Sequence, residues 1–174
     1  MQAVGIIPAR FGSTRLAQKM LIKVCGKSII QRTYENAIKS KKLSDVIVAT
    51  DDERIMAEVE SFSGKAMLTD VNHVSGTDRI AEVAAKVPAD VYVNIQGDEP
   101  LIDGNDIDKL IESFNDNNVD IATLAYKINA KEAKIPDVVK VITDKNDFAL
   151  YFSRSVIPFD RDNVGFDIYY KHIG

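Results

Sequence analysis

The sequence predicts an α/β protein with a mostly parallel sheet, and three observations support this fold class. Short apolar runs alternate with helical patterns along most of the chain, which is typical of parallel strands covered by helices. The chain has 174 residues, 45% of them hydrophobic, and is therefore large enough to bury a core. Polar loops that contain glycine interrupt this alternation, as in open α/β sheets that bind ligands beyond the strand ends.

The regular part of the chain contains five predicted strands and four predicted helices. The strands are residues 4–7, 46–49, 65–68, 90–95 and 121–126. The helices carry apolar residues at helical spacing, namely Ile30, Tyr34, Ala37 and Ile38; Ile55, Val59 and Phe62; Ile80, Val83, Ala84 and Val87; Ile107, Leu110, Ile111 and Phe114. The predicted helix caps are Asp51-Asp52, Ser75 in a near capping box with Asp78, and Asn105. These elements predict a Rossmann-like, three-layer domain with helices on both faces of a mostly parallel sheet.

The pattern changes from Val138 onwards. Residues 138–142 and 148–152 flank a polar turn and predict a β-hairpin, and residues 168–173 predict another strand. We therefore expect a mixed sheet within one domain, 1–174, in which 138–174 form an added edge. The sequence stops on an apolar and aromatic run without a polar tail, so we expect it to lack a C-terminal part.

Charge and composition argue against several classes of protein. The net charge of −4 argues against nucleic-acid binding, which normally requires a basic excess. Because no apolar run approaches the roughly 18 residues of a membrane span, we expect no membrane partner. Cys25 is the single cysteine, which favours a reducing, cytoplasmic setting and predicts a buried or half-buried residue rather than a nucleophile. His73 is predicted as a loop residue.

The loop after the first strand carries a concentration of phosphate-binding side chains. Residues 8–19 contain the cations Arg10, Arg15 and Lys19, the hydroxyls of Ser13 and Thr14, and a glycine. A triphosphate needs such hydrogen-bond donors and positive charges. The loop has neither a Walker A ending nor the Gly-x-Gly-x-x-Gly fingerprint. On composition alone, a solvated basic loop is an equal alternative.

Two further segments are candidate ligand contacts. Gln96-Gly97-Asp98-Glu99-Pro100 follows a predicted strand, and Asp98 offers a carboxylate through which Mg²⁺ can bridge to nucleotide phosphates. A plain turn explains the same residues, because Asp, Gly and Pro favour turns. Ser75-Gly76-Thr77 can contact a nucleobase, although helix capping alone also explains that segment.

Together these segments resemble the cytidylyltransferase family that activates 3-deoxy-manno-octulosonate (Kdo). The order and spacing of the resembling segments agree over essentially the whole chain. They are Ile7-Pro8-Ala9-Arg10, Ser13-Thr14-Arg15-Leu16 with Lys19, Val48-Ala49-Thr50-Asp51-Asp52, Ser75-Gly76-Thr77-Asp78-Arg79, Val93-Asn94-Ile95-Gln96-Gly97-Asp98-Glu99-Pro100, Ala122-Thr123-Leu124-Ala125, Ala149-Leu150-Tyr151-Phe152-Ser153-Arg154 with Ile157-Pro158, and Lys171-His172-Ile173-Gly174.

The resemblance implies a reaction and a set of site residues. CTP and Kdo would give CMP-Kdo and pyrophosphate with Mg²⁺, for lipopolysaccharide synthesis, and the full-length protein would be a homodimer. The implied catalytic residues are Arg10, Lys19 and Asp98, with Asp98 as the metal ligand. The implied nucleotide-binding residues are Pro8, Ala9, Arg10, Ser13, Thr14, Arg15, Lys19, Ser75, Gly76, Thr77 and Gln96. The implied substrate-binding residues are Gln96, Arg154 and His172, although an unpaired histidine on a strand is otherwise a core or edge residue.

The sequence departs from the family pattern at two places. Leu-Pro-Gly-Lys of the family is replaced by Leu16-Ala17-Gln18-Lys19, and Gln18 lacks the freedom of glycine at positive φ. We expect this change to reshape the phosphate loop or lower the affinity for CTP. The family also continues beyond residue 174, so we expect the chain as given to be inactive or severely impaired.

Other functions remain open. A CMP-sialic acid synthetase or another sugar nucleotidyltransferase would share the style of the first loop. A non-catalytic nucleotide-binding module would bind CTP without forming product. A glycosyltransferase would need an Asp-x-Asp metal motif, of which Gln96-Gly97-Asp98 supplies one acid.

Overall fold

A computed structural model describes residues 1–12, 18–162, 166 and 168–173. The chain divides into two compact units, Met1–Val119 and Asp120–Gly174. The sequence pattern predicts one domain whose added part begins at Val138. The observed division comes earlier because the strand at Leu124–Ile128 pairs within the second unit.

The first unit is built on a four-stranded parallel sheet. Its strands are β1 (Ala3–Ala9), β4 (Leu43–Thr50), β5 (Ala66–Leu68) and β6 (Val91–Asn94), in the order β5-β4-β1-β6. A small hairpin of β2 (Lys23–Val24) and β3 (Lys27–Ser28) follows a 3-10 turn at Lys19–Leu21. The helices are α1 (Ile29–Ala37), α2 (Glu53–Ser61), α3 (Gly76–Lys86) and α4 (Gly104–Glu112), the last followed by a 3-10 turn at Ser113–Asn115.

Side-chain alternation along the strands produces the predicted three layers. Ile7 of β1 and Val48 of β4 belong to one buried cluster, which also contains apolar residues of α1, α2 and α4. Ile6 and Ile47 point to the other face and pack with Val83 of α3. Because successive strand residues face opposite sides, both faces of the sheet are covered. The predicted α/β fold with a parallel sheet flanked by helices is therefore confirmed.

Among its described residues, the second unit contains an antiparallel sheet and one short helix. Its strands are β7 (Leu124–Ile128), β8 (Lys140–Thr143), β9 (Ala149–Ser153) and β10 (Tyr169–Ile173), in the order β7-β10-β8-β9, and α5 covers Ala130–Ala133. The predicted hairpin is confirmed as β8 paired with β9. It belongs to this separate sheet, however, and does not extend the parallel sheet into a mixed one.

Three local predictions differ from the structure. The strand predicted at 121–126 is β7, whose partner is β10 rather than the parallel sheet, because an apolar pattern does not specify a pairing partner. Asp103, not Asn105, caps α4 by accepting the N–H of Asn105 at 2.9 Å. Cys25 is exposed and adopts a left-handed φ of 48° next to Gly26 in the turn between β2 and β3. Within the described residues, no helix is long and apolar enough to cross a bilayer.

Candidate functional site

The candidate nucleotide site lies at the carboxyl edge of the parallel sheet. Ala9 of β1 is in register with Thr50 of β4, and Ile6 of β1 with Asn94 of β6. The segments that follow these strands therefore leave the sheet side by side. They carry Arg10, Asp51 and the Gln96–Pro100 loop, as the rule for ligand sites in open α/β sheets requires.

Lys19 and Asp98 form an ion pair between two of these loops. Lys19 Nζ lies 2.5 Å from Asp98 Oδ2, although the two residues are 79 positions apart in the sequence. Their side chains are 34% and 41% exposed, so a ligand can reach both. Lys19 and Asp98, two of the three residues to which the family resemblance assigns catalytic roles, are therefore in direct contact.

Two side chains of α1 hold the loop that carries Asp98 through hydrogen bonds. Thr33 Oγ1 donates to the carbonyl of Gly97 at 2.9 Å, and Asn36 Nδ2 donates to the carbonyl of Pro100 at 2.7 Å. A Cβ on Gly97 would lie 3.1 Å from the carbonyl oxygen of Pro8 and 3.0 Å from the Met20 side chain. A side chain here would crowd the end of β1, so the close approach of the loop to that strand favours glycine.

Arg10 and Phe11 connect the loop after β1 to neighbouring segments. Arg10 Nη2 donates to the carbonyl of Val74 at 2.8 Å, just before α3 begins. The N–H of Phe11 donates to Asp51 Oδ1 at 3.2 Å, and the guanidinium of Arg54 lies 3.3 Å above the Phe11 ring. The guanidinium of Arg10 has five N–H donors, so its contact with Val74 leaves others for an anion.

A buried ion pair beneath this loop is the main feature that sequence reasoning missed. Arg79 Nη2 lies 2.9 Å from Asp51 Oδ2, with the Arg79 side chain fully buried and the Asp51 side chain 12% exposed. The sequence predicts helix capping by Asp51 together with Asp52, whereas Asp52 alone caps α2. The available signal was the position of Arg79 four residues before Val83, on the buried face of α3.

The start of α3 has the predicted capping box. Ser75 Oγ accepts the N–H of Asp78 at 3.1 Å and donates to Asp78 Oδ2 at 2.7 Å. This hydrogen bond and the one from the Ser75 N–H lower the pKa of Asp78, with burial acting in the opposite direction. Gly76 packs against Pro8, and the side chain of Thr77 is exposed. Contact of this segment with cytosine stays a prediction.

Glu82 holds the turn that precedes α3. It accepts the N–H of Asp70 at 2.8 Å, lies 2.7 Å from His73 Nε2 and pairs with Lys86 at 2.6 Å. Hydrogen bonds from Lys86, Asp70 and His73, in that order, lower the pKa of Glu82 to about 2. His73 is therefore a loop residue, as predicted, with a defined partner on the helix.

Some predicted residues lie outside the described residues or await a test. Ser13, Thr14, Arg15 and Ala17 belong to the undescribed positions 13–17. Gln18 adopts φ 58° and ψ 24°, so the backbone keeps the left-handed conformation that glycine favours. Ala9 is buried and Pro8 and Gln96 are half-buried, at the carboxyl edge of the same sheet.

The predicted sugar-site residues belong to the second unit. Arg154 Nη1 lies 3.3 Å from the Asp137 carbonyl, and its side chain is 65% exposed. His172 Nε2 lies 2.8 Å from Thr123 Oγ1, and its ring packs against Phe152 at 4.9 Å between centroids. Burial lowers the pKa of His172, which favours a neutral imidazole near pH 7.

Lys140 is a second buried cation that the sequence analysis did not single out. It lies on β8, is fully buried, and donates to the carbonyls of Val138 at 2.7 Å and of Arg154. Burial lowers the pKa of Lys140, and the nearby charge of Arg154 lowers it further. This contact fixes the main chain of Arg154 while leaving its guanidinium exposed.

Comparison with known proteins gives consistent matches over the whole chain. The family model described as Cytidylyltransferase matches residues 4–174. The 3-deoxy-manno-octulosonate cytidylyltransferase of Fusobacterium nucleatum is 52% identical, covering 100% of this chain and 71% of that protein. The Escherichia coli protein of the same name is 47% identical over 99% of this chain and 70% of its own length.

A solved structure gives the same result. The structure of a CMP:2-keto-3-deoxy-manno-octonic acid synthetase complexed with CTP superposes with a TM-score of 0.95 at 46% identity, covering 100% of this chain and 72% of that one. A nucleotidyl transferase from Methanothermobacter, at 14% identity and a TM-score of 0.56, shares the fold.

Proposed function

The chain belongs to the cytidylyltransferase family, and we propose that it transfers the cytidylyl group of CTP to Kdo. The observation that carries this proposal is the Lys19–Asp98 ion pair at the carboxyl edge of the parallel sheet. The relatives at 52% and 47% identity are named for this activity, and the related solved structure at 46% identity contains CTP.

In the proposed reaction, the anomeric hydroxyl of Kdo attacks the α-phosphate of CTP in line. A bond forms between the sugar oxygen and the α-phosphorus, the bond to the departing pyrophosphate oxygen breaks, and the hydroxyl releases its proton to solvent. Positioning and charge stabilisation carry most of the catalysis in such transfers. Lys19 and Arg10 supply positive charge where the triphosphate would lie, so they would bind it and stabilise the charge of the leaving pyrophosphate.

We propose Mg²⁺ as the cofactor, with Asp98 as its protein ligand. Mg²⁺ usually takes one or two carboxylates and completes its shell with phosphate oxygens and water. The exposed carboxylate of Asp98 fits this requirement, and the described residues contain no cluster of three or more metal-binding side chains. The metal would therefore bind together with the nucleotide, and when bound it would neutralise phosphate charge.

For the sugar acid, we propose different roles for Arg154 and His172. Arg154 has an exposed guanidinium, which is suited to a carboxylate because it can donate two parallel hydrogen bonds. His172 has a lowered pKa and would act as a neutral hydrogen-bond partner for a hydroxyl. A cytoplasmic location and a homodimer for the full-length protein, which the family resemblance implies, belong to the same proposal.

The proposal is tested by nucleotide preference and product identity. CTP is expected to raise the unfolding temperature more than UTP, ATP or GTP does, in the presence of Mg²⁺. With Kdo added at high enzyme concentration, mass spectrometry is expected to detect CMP-Kdo, but no product when sialic acid replaces Kdo. Equal effects of all four nucleotides, or product with sialic acid in place of Kdo, would refute the proposal. CTP binding without product at any enzyme concentration would favour the non-catalytic alternative.

A further inference from the structure

Asp51 is a carboxylate to which the proposed reaction assigns no role, although it contacts the loop after β1. It follows β4 directly, and its two oxygens point to different partners. Oδ1 accepts the N–H of Phe11 at 3.2 Å, and Oδ2 accepts from the fully buried Arg79 at 2.9 Å. Phe11 is adjacent to Arg10, one of the residues proposed to bind the triphosphate.

Arg79 is itself held by the sheet. It donates to the hydroxyl of Thr69, which donates in turn to the carbonyl of Thr50 at 2.9 Å. Rotation of the Asp51 carboxylate would therefore break its hydrogen bond with Arg79, a residue of α3 that Thr69 connects to the sheet. The carboxylate is a fixed acceptor for the Phe11 N–H.

We propose that Asp51, oriented by Arg79, is a positioning residue that holds the backbone of Phe11, and with it the adjacent Arg10, in the conformation that binds the triphosphate of CTP. The inference rests on the proposed function, because it concerns the same nucleotide site. A buried ion pair adds little net stability compared with apolar packing, so stability is a weak explanation for this one. A fixed hydrogen bond to the Phe11 N–H, by contrast, orders the backbone beside Arg10 before the ligand binds and removes part of the entropy loss on binding.

The matched substitution is Asp51→Asn, with Asp45→Asn as the control. Asp45 lies near the opposite end of β4 and also forms an ion pair, with Lys65 at 2.7 Å. In Asp51→Asn, the amide oxygen is expected to face Arg79 because the buried charge needs an acceptor. The amide NH₂ would then face the N–H of Phe11, and that hydrogen bond would be lost.

The experiment measures dissociation constants for CTP and for cytidine by titration of the whole chain. Asp51→Asn is expected to weaken CTP binding about tenfold or more, the range for loss of a charge-assisted hydrogen bond. Cytidine has no phosphates and is expected to bind within about twofold of wild type. Asp45→Asn is expected to change neither constant. A purely structural role of Asp51 would not separate the two ligands.

A double variant protects the test against misfolding. Asp51→Ala with Arg79→Met removes both charges and leaves no buried charge unpaired, so it is expected to fold and still to lose CTP affinity selectively. Wild-type CTP affinity in this variant or in folded Asp51→Asn would overturn the inference alone, as would equal weakening of CTP and cytidine. A wild-type protein that binds no CTP would overturn the inference together with the proposed function.

Discussion

The two units differ in how their proposed site residues are held. In the first unit, side-chain contacts connect the loops around the nucleotide site: Lys19 with Asp98, and Asp51 with both Phe11 and Arg79. In the second unit, the guanidinium of Arg154 is largely exposed and contacts main-chain carbonyls at 3.3 Å and beyond. The difference predicts that the described part of the proposed nucleotide site is held in place before CTP binds, whereas the guanidinium of Arg154, 3.9 Å from Asp137 Oδ1, is free to turn toward the proposed sugar acid.

Burial shows the same contrast. β1 is buried along almost its whole length, whereas four of the five residues of β9 are exposed. The first unit has two buried clusters, one on each face of its sheet, and the second has a small one around Ile128 and Tyr169. Core substitutions should therefore be far more damaging in the first unit.

The largest expected effect is that of Ile7→Ala. Ile7 is fully buried on β1, which leads directly into the phosphate loop. Removal of its side chain is expected to lower the free energy of unfolding by about 4 kcal/mol, because both burial and packing are lost. Leu150→Ala on β9 is the counterpart in the second unit, and its side chain is 64% exposed.

Urea unfolding of both variants measures this contrast. Leu150→Ala is expected to change the free energy of unfolding by less than about 0.5 kcal/mol. If Leu150→Ala destabilises the protein as much as Ile7→Ala does, the two units do not differ in burial as described, and β9 is covered in solution.

The second prediction is that residues of the two units contribute to the binding of different ligands. Lys19→Met is expected to weaken CTP binding by about 10- to 100-fold, because it removes a charged donor to the triphosphate. Arg154→Met is expected to weaken Kdo binding about tenfold and to leave CTP binding unchanged. Titration of each ligand into each variant, with Kdo measured at saturating CTP, tests this division. Equal weakening of CTP by both substitutions would show that the units do not have separate ligands.

Much of the fold could be predicted because burial follows periodicity. The alternation of Ile6 and Ile7 between the two faces of the sheet, and the helical spacing of Ile55 and Val59, follow from local geometry. The membership of β7 in the second sheet could not be predicted, because its partner β10 is more than 40 residues away. Pairing over that separation depends on the whole chain, not on the local pattern.

Prediction of single site residues is limited in the same way, because some of their contacts depend on tertiary packing. The rule that ligands bind beyond the ends of parallel strands places Arg10 and Asp98 correctly at one edge of the sheet. It does not reveal that Asp51 contacts Arg79, because their pairing depends on how α3 packs against the sheet. The left-handed backbone of Gln18 could not be predicted either, because glutamine rarely adopts that conformation.

The third prediction concerns Gln18, whose left-handed backbone is strained because the residue carries a Cβ. Gln18→Gly is expected to stabilise the protein by about 1 kcal/mol, because glycine adopts φ 58° without a steric penalty. Ser63→Gly is the matched control, with φ 62° at the end of α2. It is expected to stabilise the protein to a similar extent. Denaturant unfolding measures both variants.

The variants Gln18→Gly and Ser63→Gly also test whether the Gln18 side chain affects the affinity for CTP. If the bulk of Gln18 hinders the triphosphate, CTP affinity rises in Gln18→Gly and not in Ser63→Gly. A gain in stability for Ser63→Gly alone would mean that the backbone of Gln18 is not left-handed in solution.

The smallest expected effect is that of Glu82→Gln, which acts on the turn before α3. The pKa of Glu82 is lowered from 4.5 to about 2, first by the hydrogen bond from Lys86 and then by those from Asp70 and His73. Because its folded pKa is below its unfolded one, the carboxylate stabilises the fold fully above pH 4.5 and loses this contribution as the pH falls toward 2. The effect should be small because the groups are solvent-accessible and screened.

Urea unfolding midpoints between pH 6 and pH 2.5 test this dependence on pH. The difference between wild type and Glu82→Gln is expected to be largest at pH 6 and to shrink below pH 4.5. Since Glu82 holds the turn that leads to Val74, whose carbonyl accepts from Arg10, the variant should also weaken CTP binding slightly at neutral pH. If the difference between the two unfolding midpoints does not depend on pH, the charge of the Glu82 carboxylate does not stabilise the turn. Asp51 and Lys19 would then be the residues that hold the loops of the proposed nucleotide site.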